Sequence, residues 1–366
     1  MKKTLIVFCD AKVGGIQKAL ISFLKDIEKK EDVTLLLFYK GGTLLHEIPS
    51  HVRVIEANSD YKYMGMSQSD CITIKDKLKR GIYATICKTI GKKAVIKILS
   101  KTVQHSETIQ YDEAIAYNHV VYMHSLYGGV PQYVLNHTNA KKKTCYVHCD
   151  YLHSGTRSAY SENIYKCFDE IVCVSESTKQ RFLEAIPELK EKTVARYNPI
   201  DIYEIQRQSM IDPYQYDLSY INFITVARLG REKGILRVIE ALHKTEINKV
   251  KYYIVGDGNE RERIEKKIEE YGLAENIILL GEQNNPYRFM RNADLLIVPS
   301  YHEAAPVVFQ EAIALDLPIL TTRTTSADEM VGGTHGIVVS NEDKAIEEEL
   351  ARIIKDPGLI INRFSK

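Results

Sequence analysis

The stretch ADLLIVPSYHEAAPVVFQEAIAL, Ala293–Leu315, decides how the rest of the chain is read. Leu295, Leu296, Ile297 and Val298 make a short apolar run without polar alternation, the pattern of a strand buried on both faces of a parallel sheet. Pro299 and Ser300 end it. Pro306 fits the first position of a helix, where a missing N–H costs nothing, and the helix continues through Val307, Val308, Phe309, Gln310 and Glu311. The unpaired amides of Val307 and Val308, with the positive end of the macrodipole behind them, predict an anion site that suits a phosphate. Glu303 in the loop and Glu311 about a turn into the helix bring carboxylates within reach of sugar hydroxyls on either side of that phosphate.

The segments before and after this junction repeat its plan. Strand Ile221–Ala227 runs into Arg228-Leu229-Gly230-Arg231-Glu232-Lys233-Gly234 and then a helix Ile235–His243. Arg228 and Lys233, in a glycine-flanked loop at a strand's carboxyl end, either neutralise a diphosphate or serve as plain surface charge. Strand Tyr252–Val255 leads to Gly256-Asp257-Gly258 and a charged helix Glu260–Tyr271, with Arg261 standing where a dinucleotide fingerprint needs glycine. Strand Ile277–Leu280 ends at a polar loop in which Glu282 and Gln283 can read the edge of a nucleobase. A short helix Tyr287–Asn292, strands Pro318–Thr321 and Gly336–Val339, and a helix Ala345–Lys355 complete this half.

At the other end, strand Thr4–Phe8, the pair Gly14-Gly15 and a helix pattern of Ile16, Ala19, Leu20, Phe23 and Leu24 open a doubly wound domain. The two glycines either let a ligand approach the backbone or form a plain tight turn; their spacing is not that of GxGxxG. Strands are expected at Val33–Tyr39, Glu113–Tyr117, Lys143–Val147 and Glu170–Val174, and helices around Ser161–Phe168 and from Ser177. After Lys143–Val147 come His148 and Asp150, at the carboxyl end of a strand, where open α/β sheets place their ligands. Asn198-Pro199-Ile200-Asp201 breaks the pattern, and the tyrosine-rich stretch to Tyr220 reads as a linker. The chain is thereby divided into domains 1–200 and 201–366.

A length of 366 residues suffices for two full hydrophobic cores, and 45% hydrophobic with 27% charged residues excludes a disordered or fibrous chain. Net charge is +1, but residues 1–190 carry 27 basic against 20 acidic groups (+7) and residues 191–366 carry 22 against 28 (−6), so the halves face different partners. Seven cysteines without a CxxC pair favour a reducing compartment. The apolar run of the opening MKKTLIVFCD, about six residues, is too short for a signal-peptide core, and no run approaches the roughly 20 apolar residues that span a bilayer. The expected location is cytoplasmic, at most peripheral on the inner face of the cell membrane.

Segment Lys75–Lys101 holds nine Lys and Arg, among them Lys79, Arg80, Lys92, Lys93 and Lys97, against one acid, Asp76. Ile82, Ile86, Ile90, Val95, Ile98 and Leu99 interleave at helical spacing. Two readings stand: the lysines rest on an anionic membrane or meet the acceptor, or the apolar face packs on the sheet while the lysines are solvated. Nucleic acid is not an expected partner, because the chain is near neutral and the segment lacks a companion motif.

Glu303 and Glu311 are eight positions apart, the E-x7-E spacing of family 4 retaining glycosyltransferases. The interval recurs at Glu232 with Glu240 and at Glu262 with Glu270, both expected on solvated helical faces; the buried strand and proline-started helix set the first pair apart. Taken in order with Gly14-Gly15, YVHCDY around His148, CVSE at Cys173–Glu176, YNPID at Tyr197–Asp201, VARLGREKG at Val226–Gly234 and VGDG at Val255–Gly258, the chain resembles that family along nearly its whole length. The likeness is strongest to bacterial enzymes of capsule, exopolysaccharide and lipopolysaccharide synthesis.

The resemblance implies an α/β GT-B fold, with two Rossmann-like doubly wound parallel-sheet domains facing a central cleft, the first on the acceptor side and the second binding a nucleotide sugar. It implies that Arg228 and Lys233 hold the donor diphosphate, Glu311 the ribose and Glu303 the donor sugar. His148 would then reach across the cleft to the transferred sugar, and Gly15 would lie near the phosphates or the acceptor. The implied reaction moves a hexose, from a UDP-sugar in preference to other donors, onto a glycan or lipid-linked saccharide with retention. The nucleotide sugar is a co-substrate, and no cofactor or metal is required. A sugar-nucleotide epimerase and a non-catalytic nucleotide-sugar-binding subunit are the competing readings. Two departures from the family pattern are Ala304, where glycine usually follows the first glutamate, and an end at Lys366 soon after Ile353, which leaves two readings, an abbreviated closing helix or a sequence cut short of it.

Overall fold

Short apolar runs that alternate with helices can pair only in parallel, because each crossover returns the chain to the same end of the sheet. Every strand pairing among the described residues of the computed structural model, 1–27, 31–104, 109–245 and 247–360, is indeed parallel. The chain divides into two compact units, Met1–Pro199 and Ile200–Lys366.

The first unit contains β1 (Lys3–Phe8), β2 (Asp32–Leu37), β3 (Arg53–Glu56), β4 (Tyr111–Ala116), β5 (Ala140–Val147), β6 (Glu170–Cys173) and β7 (Thr193–Ala195). Their order is β3-β2-β1-β4-β5-β6-β7. The second contains β8 (Ile221–Val226), β9 (Val250–Val255), β10 (Ile277–Gly281), β11 (Leu295–Val298), β12 (Ile319–Thr322) and β13 (Gly336–Val339), in the order β10-β9-β8-β11-β12-β13. The expected pair of doubly wound parallel sheets is therefore present. In each, the winding reverses once, between β1 and β4 in the first and between β8 and β11 in the second, and the carboxyl ends at such reversals are where open sheets bind ligands. All four residues of β11 are buried, as its unbroken apolar run requires.

Two strands were not expected from sequence, β3 and β7, and they form the two edges of the seven-stranded sheet. Neither is longer than four residues, and neither has a continuous apolar run to betray it. The stretch before Tyr220 is also corrected. It is no loose linker: Ile202–Ser209 is a helix, Gln206 donates to the Ala314 carbonyl at 3.0 Å, and the Tyr216 hydroxyl donates to that of Phe289 at 2.7 Å. Tyr214 and Tyr216 pack edge-to-face against each other and against Tyr253 inside the second unit, a contact that local periodicity cannot reveal.

Helix α1 (Gly15–Asp26) follows β1, and the basic segment folds as α2 (Ile74–Thr89) and α3 (Lys92–Leu99), separated at Gly91, whose φ of +105° suits glycine alone. Of the five proposed surface cations Lys92 is enclosed, and Lys79 and Arg80 are half-buried with partners of their own. Lys92 is fully buried and its ammonium donates to the Tyr127 carbonyl at 2.7 Å. Lys79 pairs with Asp60 at 2.9 Å, and Arg80 donates to the Met66 carbonyl at 2.8 Å and to Gln68 at 3.0 Å. Lys93 and Lys97 are exposed. The apolar residues divide as well: Val95 and Leu99 are buried in the core of the first unit, whereas Ile82, Ile90 and Ile98 face outward.

Candidate active site

At the reversal between β8 and β11, the two strand ends lead into loops that meet. The loop after β11 is pinned at Pro299, Ser300, Tyr301 and Glu303. Arg237, 3% exposed, donates to the Pro299 carbonyl at 3.1 Å, pairs with Asp343 at 2.6 Å and stacks its guanidinium on Tyr301. The Thr322 hydroxyl donates to the Ser300 carbonyl at 2.5 Å, Asn341 to that of Tyr301 at 2.8 Å, and the Thr325 amide to that of Glu303 at 3.3 Å. The Tyr301 amide in turn donates to the Glu232 carbonyl at 2.9 Å, tying this loop to the turn that carries Lys233. A loop with its backbone so satisfied holds its side chains in place before any ligand arrives.

Two of the predicted residues, 70 positions apart, meet there. The Lys233 ammonium lies 2.5 Å from Glu303, and the Ser300 hydroxyl donates to the same carboxylate oxygen at 2.9 Å. Both side chains are mostly shielded, at 24% and 13% exposure, so the attraction is less screened than in a surface pair. Of the three donor hydrogens on Lys233, one is committed to Glu303 and two remain for another oxygen. Gly234 makes the juxtaposition possible: its φ is +64°, and a Cβ there would stand 2.2 Å from the Pro299 carbonyl oxygen.

The helix of the opening stretch spans Val307–Ala314, with Pro306 at its cap in an extended conformation and not at its first position as expected. Val307 and Val308 are thus its first two residues, whose amides have no intrahelical acceptor. Glu311 is 4% exposed and accepts from the Tyr287 hydroxyl at 2.9 Å. The other two pairs at the same interval differ. Glu262 and Glu270 are exposed on one helix, as expected, but Glu232 lies in the turn Arg231–Lys233, not on a helical face, and pairs with Arg228 at 2.7 Å. Arg228 itself is exposed, its side chain at 75%. Glu282 and Gln283 follow β10, at the edge of the sheet and two strands from the reversal, with Glu282 exposed and the Gln283 amide donating to the Leu280 carbonyl at 2.7 Å.

In the first unit, Gly15 begins α1 beside the end of β1, and a Cβ built on it would meet nothing within 4 Å. Open space lies where its side chain would be. His148 follows β5, its ring 5.0 Å from Tyr117 and stacked on Tyr146 at 5.7 Å. The ring is part-exposed as a whole, yet Nε2 is closed off from solvent and has no hydrogen-bond partner among the described residues. Asp150, the acid two positions on, pairs with His153 at 2.9 Å instead.

Sequence reasoning passed over His119. It follows β4 as His148 follows β5 on the neighbouring strand, and its Nδ1 is likewise buried and unpartnered. Burial pushes the His148 imidazole down to about 3, with His119 adding to the effect, and pushes His119 down to about 4, with the Lys92 ammonium adding. Both rings are neutral at neutral pH and can each donate and accept a hydrogen bond. The signal that could have found His119 is its place, two residues past a strand beside the β1–β4 reversal. Among the described residues, no group of three or more His, Cys, Asp or Glu side chains is placed to hold a metal ion.

Two doubly wound parallel sheets, with cation, carboxylate and helix start at the reversal of the second, define a protein of the GT-B class. Residues 207–365 match the family described as Glycosyl transferases group 1. It is 27% identical to the capsular polysaccharide biosynthesis glycosyltransferase CapM of Staphylococcus aureus over 208 residues, 53% of this chain and 54% of CapM. The chain spans 40% to 54% of the length of such curated relatives matched in part. A longer match, 21% identical over 98% of this chain and 92% of the other, is to the N-acetylgalactosamine-N,N'-diacetylbacillosaminyl-diphospho-undecaprenol 4-alpha-N-acetylgalactosaminyltransferase of Campylobacter jejuni. Among solved structures, Anabaena Alr3699/HepE in complex with UDP-glucose superposes with a TM-score of 0.65 at 19% identity, covering 100% of this chain and 96% of that one.

Proposed function

We propose that the chain transfers a hexose from a UDP-hexose to a saccharide or lipid-linked saccharide acceptor in surface polysaccharide synthesis, with retention at the anomeric carbon. The observation that carries this reading is the Lys233–Glu303 pair, seated beside an eight-residue helix start in a pinned loop at the β8–β11 reversal. In this reading the two free donors of Lys233, the amides of Val307 and Val308 and the Arg228 guanidinium receive the diphosphate. Charge that develops on the leaving UDP is then met by fixed positive groups, which is how an active site lowers such a barrier without rearranging. Glu311 accepts the ribose hydroxyls, held by Tyr287. Glu303 and the neutral imidazole of His148 bind hydroxyls of the transferred sugar, and Gly15 leaves room for the phosphates or the acceptor. UDP as the carrier is supported by the likeness to a structure solved with UDP-glucose, and a lipid-linked acceptor by the diphospho-undecaprenol named for the Campylobacter relative.

A melting screen against UDP, GDP, ADP and TDP sugars tests the donor. A ligand at about a hundred times its dissociation constant adds roughly 2.7 kcal/mol, readable as a clear rise in midpoint. The expected result is a rise with UDP-hexoses that Glu311→Gln reduces and His148→Ala leaves intact, while His148→Ala lowers sugar transfer. No rise with any nucleotide sugar, or full transfer by His148→Ala, would overturn the assignment.

A further inference from the structure

Arg237 stands on the first turn of helix Ile235–His243, four positions after Lys233, and is enclosed to 3% exposure. Its partners are spread over two loops. Nε donates to Asp343 at 2.6 Å, and Nη1 donates to the Asn341 side-chain oxygen at 2.8 Å and to the Pro299 carbonyl at 3.1 Å. The guanidinium carbon lies 4.4 Å from the centroid of the Tyr301 ring. Three of its five N–H groups are thereby used, and Nη2 is buried without a partner among the described residues. Enclosing a cation with part of its fork unpaired is unfavourable, and an apolar side chain of the same volume would fill the space at least as well. The carboxylate it faces does not explain the burial either, because the Asp343 side chain is 66% exposed and solvated.

What the position does account for is Ser300. Pro299 and Tyr301 are the chain neighbours of Ser300, and Arg237 holds both, one by its carbonyl and the other by its ring. Asn341 closes the arrangement, since its amide donates to the Tyr301 carbonyl at 2.8 Å while its oxygen accepts from Arg237. Ser300 itself is 1% exposed, and its hydroxyl donates to the Glu303 oxygen that Lys233 also meets. One helix start therefore delivers both the ammonium that pairs with Glu303 and the guanidinium that fixes the backbone carrying Glu303. Glu311 belongs instead to helix Val307–Ala314, where Tyr287 holds it.

We propose that Arg237 is a positioning residue for Glu303, and that it sets how the site discriminates between hexoses without touching the nucleotide. The proposal rests on the reading of Glu303 as a contact to the transferred sugar. A guanidinium suits this task because its planar fork fixes three oxygens and a ring in one geometry, which a lysine at the same place cannot do. A loop displaced by about 1 Å keeps its charge but loses the alignment of its carboxylate with the sugar hydroxyls.

Calorimetric titration of the full chain with UDP, UDP-glucose, UDP-galactose and UDP-N-acetylglucosamine tests it, with Arg237→Met, Arg237→Lys and Asn341→Ala beside the wild type. The wild type is expected to prefer one UDP-hexose over the others. Arg237→Met and Arg237→Lys should each lower that preference by about tenfold, the loss of roughly one well-placed hydrogen bond, while affinity for UDP alone stays within about twofold. Asn341 is exposed and its removal buries no charge, so Asn341→Ala keeps the test open if the Arg237 variants fail to fold, and it is expected to lose the preference in part. Unchanged preference in every folded variant overturns the proposal. So does an equal loss of affinity for UDP and for the UDP-hexoses, which is what a merely structural anchor would give. A wild type that binds all four ligands equally overturns it as well, since there is then no discrimination for Arg237 to set. A wild type that binds none of the four overturns the donor reading, and this inference with it, before any variant is compared.

Discussion

Lys92 and Lys93 are adjacent in sequence and opposite in physics. The first is enclosed with its ammonium on the Tyr127 carbonyl, and burial pushes its pKa down to about 8; the second is exposed. Lys92→Ala removes a buried stem and leaves the carbonyl without its donor, and is expected to cost about 2–4 kcal/mol, whereas Lys93→Ala should change stability by less than about 0.5 kcal/mol. Urea unfolding of the two variants reads the difference directly, and equal midpoints would mean that Lys92 reaches solvent. The same contrast explains why a count of lysines was a poor guide to the surface of this segment. Helical spacing says which residues share a face, but which face is covered depends on chain that is distant in sequence.

At the scale of elements, the site is built where the turn Arg231–Lys233 meets the loop after β11, and Gly234 is the hinge between turn and helix. A Cβ at this position meets both a left-handed backbone and the Pro299 carbonyl oxygen. Gly234→Ala is therefore expected to destabilise the chain by about 2 kcal/mol or more. It should also weaken nucleotide binding, because relief of the clash must shift either Lys233 or the loop that holds Glu303. A titration with UDP-hexose alongside urea unfolding checks both. Wild-type values in both would show that the turn has slack which the pinned loop does not suggest. By contrast, Gly15 has open space at its Cβ position, so Gly15→Ala should leave stability nearly unchanged and affect only what binds there.

For the molecule as a whole, the paired histidines make stability depend on pH. An unfolded histidine titrates near 6.5, whereas burial holds His119 down to about 4 and His148 to about 3. Above about pH 6.5 both states are neutral and the full stability is present. As pH falls below that value, the unfolded chain takes up protons that the folded chain refuses, so stability declines until the folded values are reached. Between about pH 6.5 and pH 5 the pair contributes a loss of up to about 4 kcal/mol. Denaturation of the wild type and of His119→Gln with His148→Gln at both ends of that window should show the steeper fall in the wild type. Parallel curves would mean that the rings are protonated in the folded state.

The sequence by itself determined the class of this protein. Eleven of the thirteen strands among the described residues, the glycine turns and, to within one residue, the helix start after Pro306 were legible because each depends on a local pattern: an apolar run, a proline, a residue free to take a positive φ. For the same reason the two loops that meet at the β8–β11 reversal could be picked out through Lys233 and Glu303. The tertiary structure decided everything that depends on which distant residue stands opposite. It set Lys233 against Glu303, gave Glu311 a tyrosine and Asp150 a different histidine, and put His119 beside His148. It also enclosed Lys92 and gave Lys79 and Arg80 partners while leaving Ile74, Leu78 and Ile82 in solvent. Secondary structure follows from steric and hydrogen-bond rules that act over a few residues, whereas the partner of a charge and the cover of an apolar face are set by packing between elements that sequence spacing does not encode.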